Sequence, residues 1–350
     1  MNQTILQGAE KLFPILEGKN YLLVCGHSFS RFPFADRFAP KAIFKDFTPN
    51  PLYQQAAEGV RLFNSTGCDA IVAVGGGSAM DIAKCIKLFC QMNPQINYLE
   101  QEYRDTGIPL FAMPTTAGTG SESTRHAVIY YEGKKQSISH PSIVPNYAVL
   151  EPSVLKDLPL YQKKCTMLDG ICQAIESWWS VSSTEESIDY SRKALLLFRD
   201  HWQAYIEKND PAAAEKIMLA ANLAGRAIKL TATTAAHAMS YKLTGLYGVP
   251  HGHAVALCMA GVWQAMNTEP CTDSRGKDHL QKTLAQIETI SGYAWFQNLM
   301  KKLEMEKPVS QQREQDLSVL IESVNPVRLK NNPVLLNEQM LRKIYEDIVK

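Results

Sequence analysis

The chain has 350 residues, 45% of them hydrophobic and 20% charged, a composition that suits a soluble globular protein with length for two domains. Lys and Arg number 36 against 35 Asp and Glu, a net charge of +1 with no basic tail and no block of like charge, so nothing points to nucleic acid or an anionic membrane surface. No apolar run is long enough to span a bilayer, and the opening MNQTILQGAEKLF lacks a basic stretch followed by an apolar one, which argues against a signal peptide. The eight cysteines are scattered and form no CxxC pair, so free buried thiols in a reducing cytoplasm are expected, and the sequon at Asn64 carries no meaning.

In chain order, the first half alternates. YLLVCG (21–26), AIVAVGGG (70–77), PLFAMP (109–114) and YAVLEP (147–152) are short apolar runs that predict buried strands. NPLYQQAAEGVRLFNSTG and SAMDIAKCIKLFCQM between them predict helices. Strand, helix, strand is the pattern of a parallel sheet covered on both faces. From about Pro159 only long helical periodicities follow: 161–180, 184–206, 210–230, 232–245, 251–266, 277–304, 309–323 and 337–349. The fold class expected is an α/β domain with a parallel sheet over 1–157 and an all-α domain over 158–350. The default place for a small-molecule site is the cleft between two such domains.

The most legible motif is DAIVAVGGGSAMDIAK, residues 69–84. A buried strand runs into Gly75, Gly76 and Gly77; Ser78 is expected to open a helix, with Asp81 as its capping-box partner. Glycines let backbone approach a ligand closely, and a helix start offers free N–H groups, which suits a pyrophosphate. The spacing is not GxGxxG. A second loop, MPTTAGTGSEST (113–124), follows the strand PLFAM and presents hydroxyls at Thr115, Thr116, Thr119 and Ser121 that can bind a ribose or phosphate. In open α/β sheets, ligands bind at the carboxyl ends of the strands.

In TMLDGICQAIESWW (166–179), Asp169, Cys172, Gln173 and Glu176 share one stripe of an otherwise apolar helix. Such a stripe faces either water or a metal. Three of the eight histidines cluster downstream, His237 in a helix of small residues, and His251 and His253 at the start of another apolar helix. A lone histidine in such a setting is usually a core residue. Two in separate helices, with a carboxylate on a third, favour Zn²⁺ or Fe²⁺ over Mg²⁺ or Ca²⁺.

GGGSAMDIAK, PTTAGTGSE, LDGICQAIES, PHGHAVAL and RLKNNPVLLNEQMLRKIYEDI together resemble the iron-dependent (group III) alcohol dehydrogenase family, in order and over essentially the whole chain. The resemblance implies the dehydroquinate synthase-like architecture of a dinucleotide domain and a helical metal domain, and NAD(P)H with one divalent metal, Fe²⁺ or Zn²⁺, as cofactors. It implies Asp169, His237 and His251 as ligands. Gln173 stands where the family has a histidine, so either its amide oxygen binds or water takes that place. The family's further histidine is Tyr241 here.

Within the family, LDGICQAIESWWSVSSTEES, YGVPHGHAVAL and NPVRLKNNPVLL are most similar to the branch that reduces phosphonoacetaldehyde to 2-hydroxyethylphosphonate. The small-molecule substrate implied is thus a phosphonate aldehyde, whose dianion needs cations; Arg125, His126 and Lys242 are the candidates. His253 is a candidate proton donor. NAD-selective members place Asp at the end of the first strand; here Gly26 stands there, with Ser28, Ser30 and Arg31 following, so NADPH is expected, with NADH as the alternative. A homodimer is possible through exposed sheet edges. Competing expectations are a general dehydrogenase for uncharged alcohols, a metal-free nucleotide-binding paralogue, and a dehydroquinate-synthase-like lyase, which would need more basic residues on the metal helices.

Overall fold

Runs of Val, Ile, Leu and Ala build a six-stranded sheet in the first part of the chain. The structure, a computed structural model, describes residues 3–350. The chain divides into two units, one ending at Asp157 and one running Leu158–Lys350. The strands of the first unit are β1 (Thr4–Gln7), β2 (Tyr21–Cys25), β3 (Ala42–Phe44), β4 (Ala70–Gly75), β5 (Leu110–Pro114) and, after the hairpin of β6 (His126–Tyr131) and β7 (Lys134–Ser139), β8 (Tyr147–Leu150). The sheet order is β1-β8-β5-β4-β2-β3 and every pairing in it is parallel. β2, β4 and β5 are buried at every residue, as strands covered on both faces must be, hence their unbroken apolar sequence.

From β2 the chain moves outward to β3, then returns to the other side of β2 to form β4. The carboxyl ends of β2 and β4 therefore flank the point where the winding reverses, the usual ligand crevice of such sheets. Helices α1 (Phe13–Leu16), α2 (Tyr53–Thr66) and α3 (Gly77–Phe89) connect the strands. Three features lie outside the apolar-run expectations. β1 and β3 are too short to stand out, and β6 (HAVIYY) is an apolar run paired with a largely polar β7 (KKQSIS). The antiparallel hairpin turns at Glu132 and Gly133, both at positive φ (49° and 71°), the two-residue turn that matches strand twist.

The second unit is helical: α4 (Leu160–Trp179), α5 (Glu185–Lys208), α6 (Pro211–Thr231), α7 (Ala235–Tyr247), α8 (His251–Thr268), α9 (Lys277–Ser291), α10 (Tyr293–Lys302), α11 (Arg313–Glu322), α12 (Pro326–Leu329) and α13 (Glu338–Ile348). The stretch 277–304, expected as one helix, is two. Gly292 is extended and the Glu288 carboxylate accepts from the Tyr293 N–H, starting α10 afresh. α4 is the hub, packed against α5, α6, α8 and α9. From Cys165 to Trp179 every residue of it is buried, so the polar stripe faces protein and not water. All eight cysteines are free, seven buried and Cys271 half-buried. No helix among the described residues is long and apolar enough to cross a membrane.

Candidate metal centre and nucleotide loops

In the first unit the two polar loops adjoin. The Thr115 N–H donates to the Gly75 carbonyl at 2.9 Å. A Cβ on Gly76 would lie 3.7 Å from the Thr116 methyl, and one on Gly77 would lie 3.6 Å from that of Thr119. Gly75 is the tightest of the three: a Cβ there would come within 2.6 Å of Ala79 on α3 and 3.9 Å of the Gly26 nitrogen. Glycine thus lets the end of β4, the start of α3 and the end of β2 converge. The N-cap of α3 is Gly76, with no side-chain cap, so first-turn N–H groups of a 13-residue helix are left for a ligand. A glycine cradle at an uncapped helix start fits a dinucleotide pyrophosphate. Gly26 is extended, and Ser28 lies exposed in the turn His27–Arg31.

Ser78 and Asp81 do not form the expected capping box. α3 begins one residue earlier, at Gly77, and Asp81 turns instead to the Val128 backbone and Ser121. Beside it Lys84 is fully buried and donates to Ser121 Oγ (3.0 Å), Thr124 Oγ1 (3.0 Å) and the His126 carbonyl (2.8 Å). Burial raises the Asp81 carboxyl and lowers the Lys84 ammonium from their ordinary ranges, partly offset by their attraction for each other. Lys84 ties the second loop to α3 from beneath.

In the second unit, one donor atom each of Asp169, His237 and His251 lie within 4.8 Å of one another. Asp169 Oδ1 is 3.2 Å from His237 Nε2 and 4.0 Å from His251 Nε2. Gln173, one turn along α4, hydrogen-bonds Asp169 and so joins the cluster. Glycine matters again: a Cβ on Gly252 would fall 2.0 Å from the Cys165 carbonyl oxygen and 2.9 Å from the Asp169 Cβ. Only a glycine between His251 and His253 lets the start of α8 sit on α4 at this level.

Glu176, fully buried, organises the centre. Its Oε1 accepts from Thr234 Oγ1 (2.8 Å), the Thr234 N–H (3.1 Å) and the His237 N–H (3.2 Å), and its Oε2 takes His237 Nδ1. The turn before α7 includes Ala232 at φ 59°, a strained value for a residue with a Cβ. Asn331 holds that turn by donating to the carbonyls of Thr231 (2.8 Å) and Thr233 (3.0 Å), and Glu176 holds its end.

This arrangement fits a cation. With Nδ1 donating to Glu176, a neutral His237 presents the Nε2 lone pair to Asp169 Oδ1, itself only an acceptor. Two lone pairs at 3.2 Å in a buried site need a proton or a cation between them. Without a cation the proton serves: burial lowers the His237 pKa, but Glu176 and Asp169 outweigh it and lift it to about 9. For Asp169, burial raises the carboxyl and is outweighed by the His237 hydrogen bond and the two histidine charges, leaving it below its usual range. One carboxylate and two imidazoles, one of them oriented by a second carboxylate, suit Zn²⁺ or Fe²⁺.

The other sequence-derived candidates lie elsewhere. His253 is outside the cluster: its Nδ1 meets Tyr161 Oη at 2.8 Å, and burial lowers its pKa, so it is held as a neutral core residue two positions round α8. Arg125 is exposed at the start of β6, His126 lends its carbonyl to Lys84, and Lys242 is exposed on α7. Glu176 shares the Asp169 stripe, but residue type and spacing alone assign it no role. Thr234 and Arg328 likewise carry no sequence signal of a role. Arg328 donates to Tyr241 Oη at 2.6 Å, and the Tyr241 ring stacks on His251 at 5.5 Å and 5°.

A glycine-loop parallel sheet and an Asp-His-His cluster among helices define the class of metal-dependent dinucleotide oxidoreductases. Residues 2–152 match the iron-containing alcohol dehydrogenase family and residues 164–349 match the C-terminal part of the Fe-containing alcohol dehydrogenase family, so the chain belongs to that family. It is an NAD(P)-dependent oxidoreductase acting on alcohols and aldehydes, with a divalent metal as second cofactor. Among its relatives is the phosphonoacetaldehyde reductase of Streptomyces viridochromogenes, 31% identical over 302 residues, 80% of this chain and 76% of that protein. The crystal structure of sulfoacetaldehyde reductase from Bifidobacterium kashiwanohense in complex with NAD+ superposes with a TM-score of 0.87 at 26% identity, covering 99% of this chain and 96% of that one. An iron-containing alcohol dehydrogenase from Thermotoga maritima gives 0.85 at 26% identity, covering 99% and 98%.

Proposed function

We propose that the protein reduces phosphonoacetaldehyde to 2-hydroxyethylphosphonate, using NADPH and one divalent metal. The observation that carries this is the 31% match to a phosphonoacetaldehyde reductase across 80% of the chain. Sulfoacetaldehyde, the same two-carbon aldehyde with a sulfonate, is the second reading, on the likeness to the sulfoacetaldehyde reductase structure. Both substrates join an aldehyde to a tetrahedral anion.

Asp169, His237 and His251 hold the metal, and Gln173 or a water completes the set. A divalent cation there supplies Lewis acidity toward a carbonyl oxygen, and the nicotinamide supplies the hydride. The chain's residues do the positioning. Glu176 fixes the His237 ring with Nε2 turned to the centre. The backbone at Gly75, Gly76, Gly77 and Ser78 takes the pyrophosphate, and Thr115, Thr116, Thr119 and Ser121 line the adjoining loop. Gly26 leaves no carboxylate at the end of β2 to repel a 2′-phosphate, and Ser28 and Arg31 are exposed beside it, which favours NADPH.

The test is NADPH oxidation by Fe²⁺-loaded protein with phosphonoacetaldehyde, sulfoacetaldehyde and propionaldehyde at matched concentrations. The expected result is a preference of about 100-fold or more in kcat/KM for the phosphonate, the scale of a desolvated charge contact. Comparable rates with propionaldehyde would leave only a general alcohol dehydrogenase.

A further inference from the structure

Resting on that substrate class, we infer that Arg328 and Tyr241 form the subsite that takes the anionic end of the substrate. The observation is a stacked chain of three side chains leading away from the metal cluster. His251 is a cluster donor. The Tyr241 ring lies parallel to it, 5.5 Å away and tilted by only 5°. The Arg328 guanidinium sits over Tyr241, its carbon 5.1 Å from the ring centroid, and Nη1 donates to the phenol oxygen at 2.6 Å. A cation is thus fixed two side chains from a metal ligand, within one helical unit.

The charges call for such a cation. Asp169 and Glu176 already place two carboxylates at the centre, enough to balance a divalent metal. A phosphonate or sulfonate arriving beside them finds no remaining positive charge unless the protein provides one. Guanidinium does so at every physiological pH, and its planar N–H fork fits the oxygens of a tetrahedral anion. Arg328 is half-buried, so solvent screens it less than an exposed lysine. Tyr241 sets its distance. A histidine at that position, as the family resemblance implies, would be too short to bring a polar atom to the same place. The tyrosine carries a hydroxyl past the imidazole to the guanidinium. α12, which bears Arg328, is held in turn by Asn331, whose side chain donates to the Thr231 and Thr233 carbonyls.

Two measurements test the assignment. In the first, kcat/KM is measured for phosphonoacetaldehyde and propionaldehyde with the metal-loaded wild type, Arg328→Gln and Arg328→Lys. Arg328→Gln should lose about 100-fold on the phosphonate, mainly in KM, and at least about 30-fold less on propionaldehyde. Arg328→Lys should recover part of the loss, which a merely structural arginine would not show. Equal losses on the two aldehydes overturn the inference and leave the proposed substrate standing. In the second, ethylphosphonate binding to the Zn²⁺-loaded proteins is followed by calorimetry. Binding by the wild type that Arg328→Gln abolishes supports the subsite even if the wild type shows no preference for phosphonoacetaldehyde, which would overturn only the proposed substrate. Binding unchanged in Arg328→Gln, or absent from the wild type, overturns the subsite.

Discussion

The two units build their sites by opposite means. In the first, a short contiguous stretch supplies backbone: Gly75, Gly76 and Gly77 strip away side chains so that α3 opens uncapped beside the ends of β2 and β5. In the second, side chains do the work, and they come from α4, α7, α8 and α12, spread from Asp169 to Arg328. A backbone site is fixed by what is missing, a side-chain site by what is held in place. The two should therefore fail differently, the first through added bulk and the second through lost orientation. Gly252 crosses that division, and this makes it the most severe test.

Gly252 belongs to the side-chain site yet acts by absence. Its Cβ would strike the Cys165 carbonyl at 2.0 Å, and neither backbone can yield without moving a helix. Gly252→Ala should displace the start of α8 and with it His251. The expected outcome is loss of bound metal on dialysis and a fall of about 10²-fold or more in aldehyde reduction. Global stability should drop only by about 1–3 kcal/mol, the usual range for an overpacked contact. Retained metal with near-normal turnover would show that α8 does not need this close approach.

Glu176 tests orientation alone. It fixes the His237 ring through Nδ1 while anchoring Thr234. Glu176→Gln keeps the size but turns either an amide N–H or a weaker acceptor toward the ring. Metal affinity, measured by chelator competition, should weaken by about 10–100-fold. Coenzyme binding in the absence of metal should not change, because the first unit's loops share no residue with this network. A parallel loss of both would dissolve the distinction between the two sites.

How much of this was legible in the sequence follows the same division. The two glycine-rich loops and their place at the ends of β4 and β5 could be read directly, because glycines after an apolar run are local signals. The strands β2, β4 and β5 were legible for the same reason, whereas the largely polar β7 gave no apolar run and hid the hairpin it forms with β6. In the second unit, Asp169, His237 and His251 were found through residue type and family resemblance. Gln173 was flagged as an odd member of the set, and it does reach Asp169. Glu176 and Arg328 were not recognised, since their roles depend on contacts 61 and 87 residues distant. His253 was named only as a candidate proton donor, and its surroundings were not legible from its place beside His251. On a helix two positions subtend about 200°, so His251 turns to the cluster while His253 turns to Tyr161. Asp81 looked like a capping residue because its spacing from Ser78 allows one, but Lys84 and the Val128 backbone compete for its carboxylate and win.

Lys84 offers the smallest effect on function and the sharpest limit on the comparison. If the first site were backbone alone, no side chain in it should matter except by bulk. Lys84 contradicts this from below: its ammonium satisfies Ser121, Thr124 and the His126 carbonyl at once, and so holds the loop that faces α3. Lys84→Met preserves the length and the apolar stem but leaves those acceptors, and the Asp81 carboxylate, without the charge. Removing one member of a buried ionic network destabilises by about 3–5 kcal/mol. The coenzyme KM should rise by about 10-fold through loosening of the loop, while metal content stays unchanged. A loss of stability with no change in coenzyme KM would mean that Lys84 supports the fold of the unit but not the loop. The backbone description of the nucleotide site would then stand without any supporting side chain.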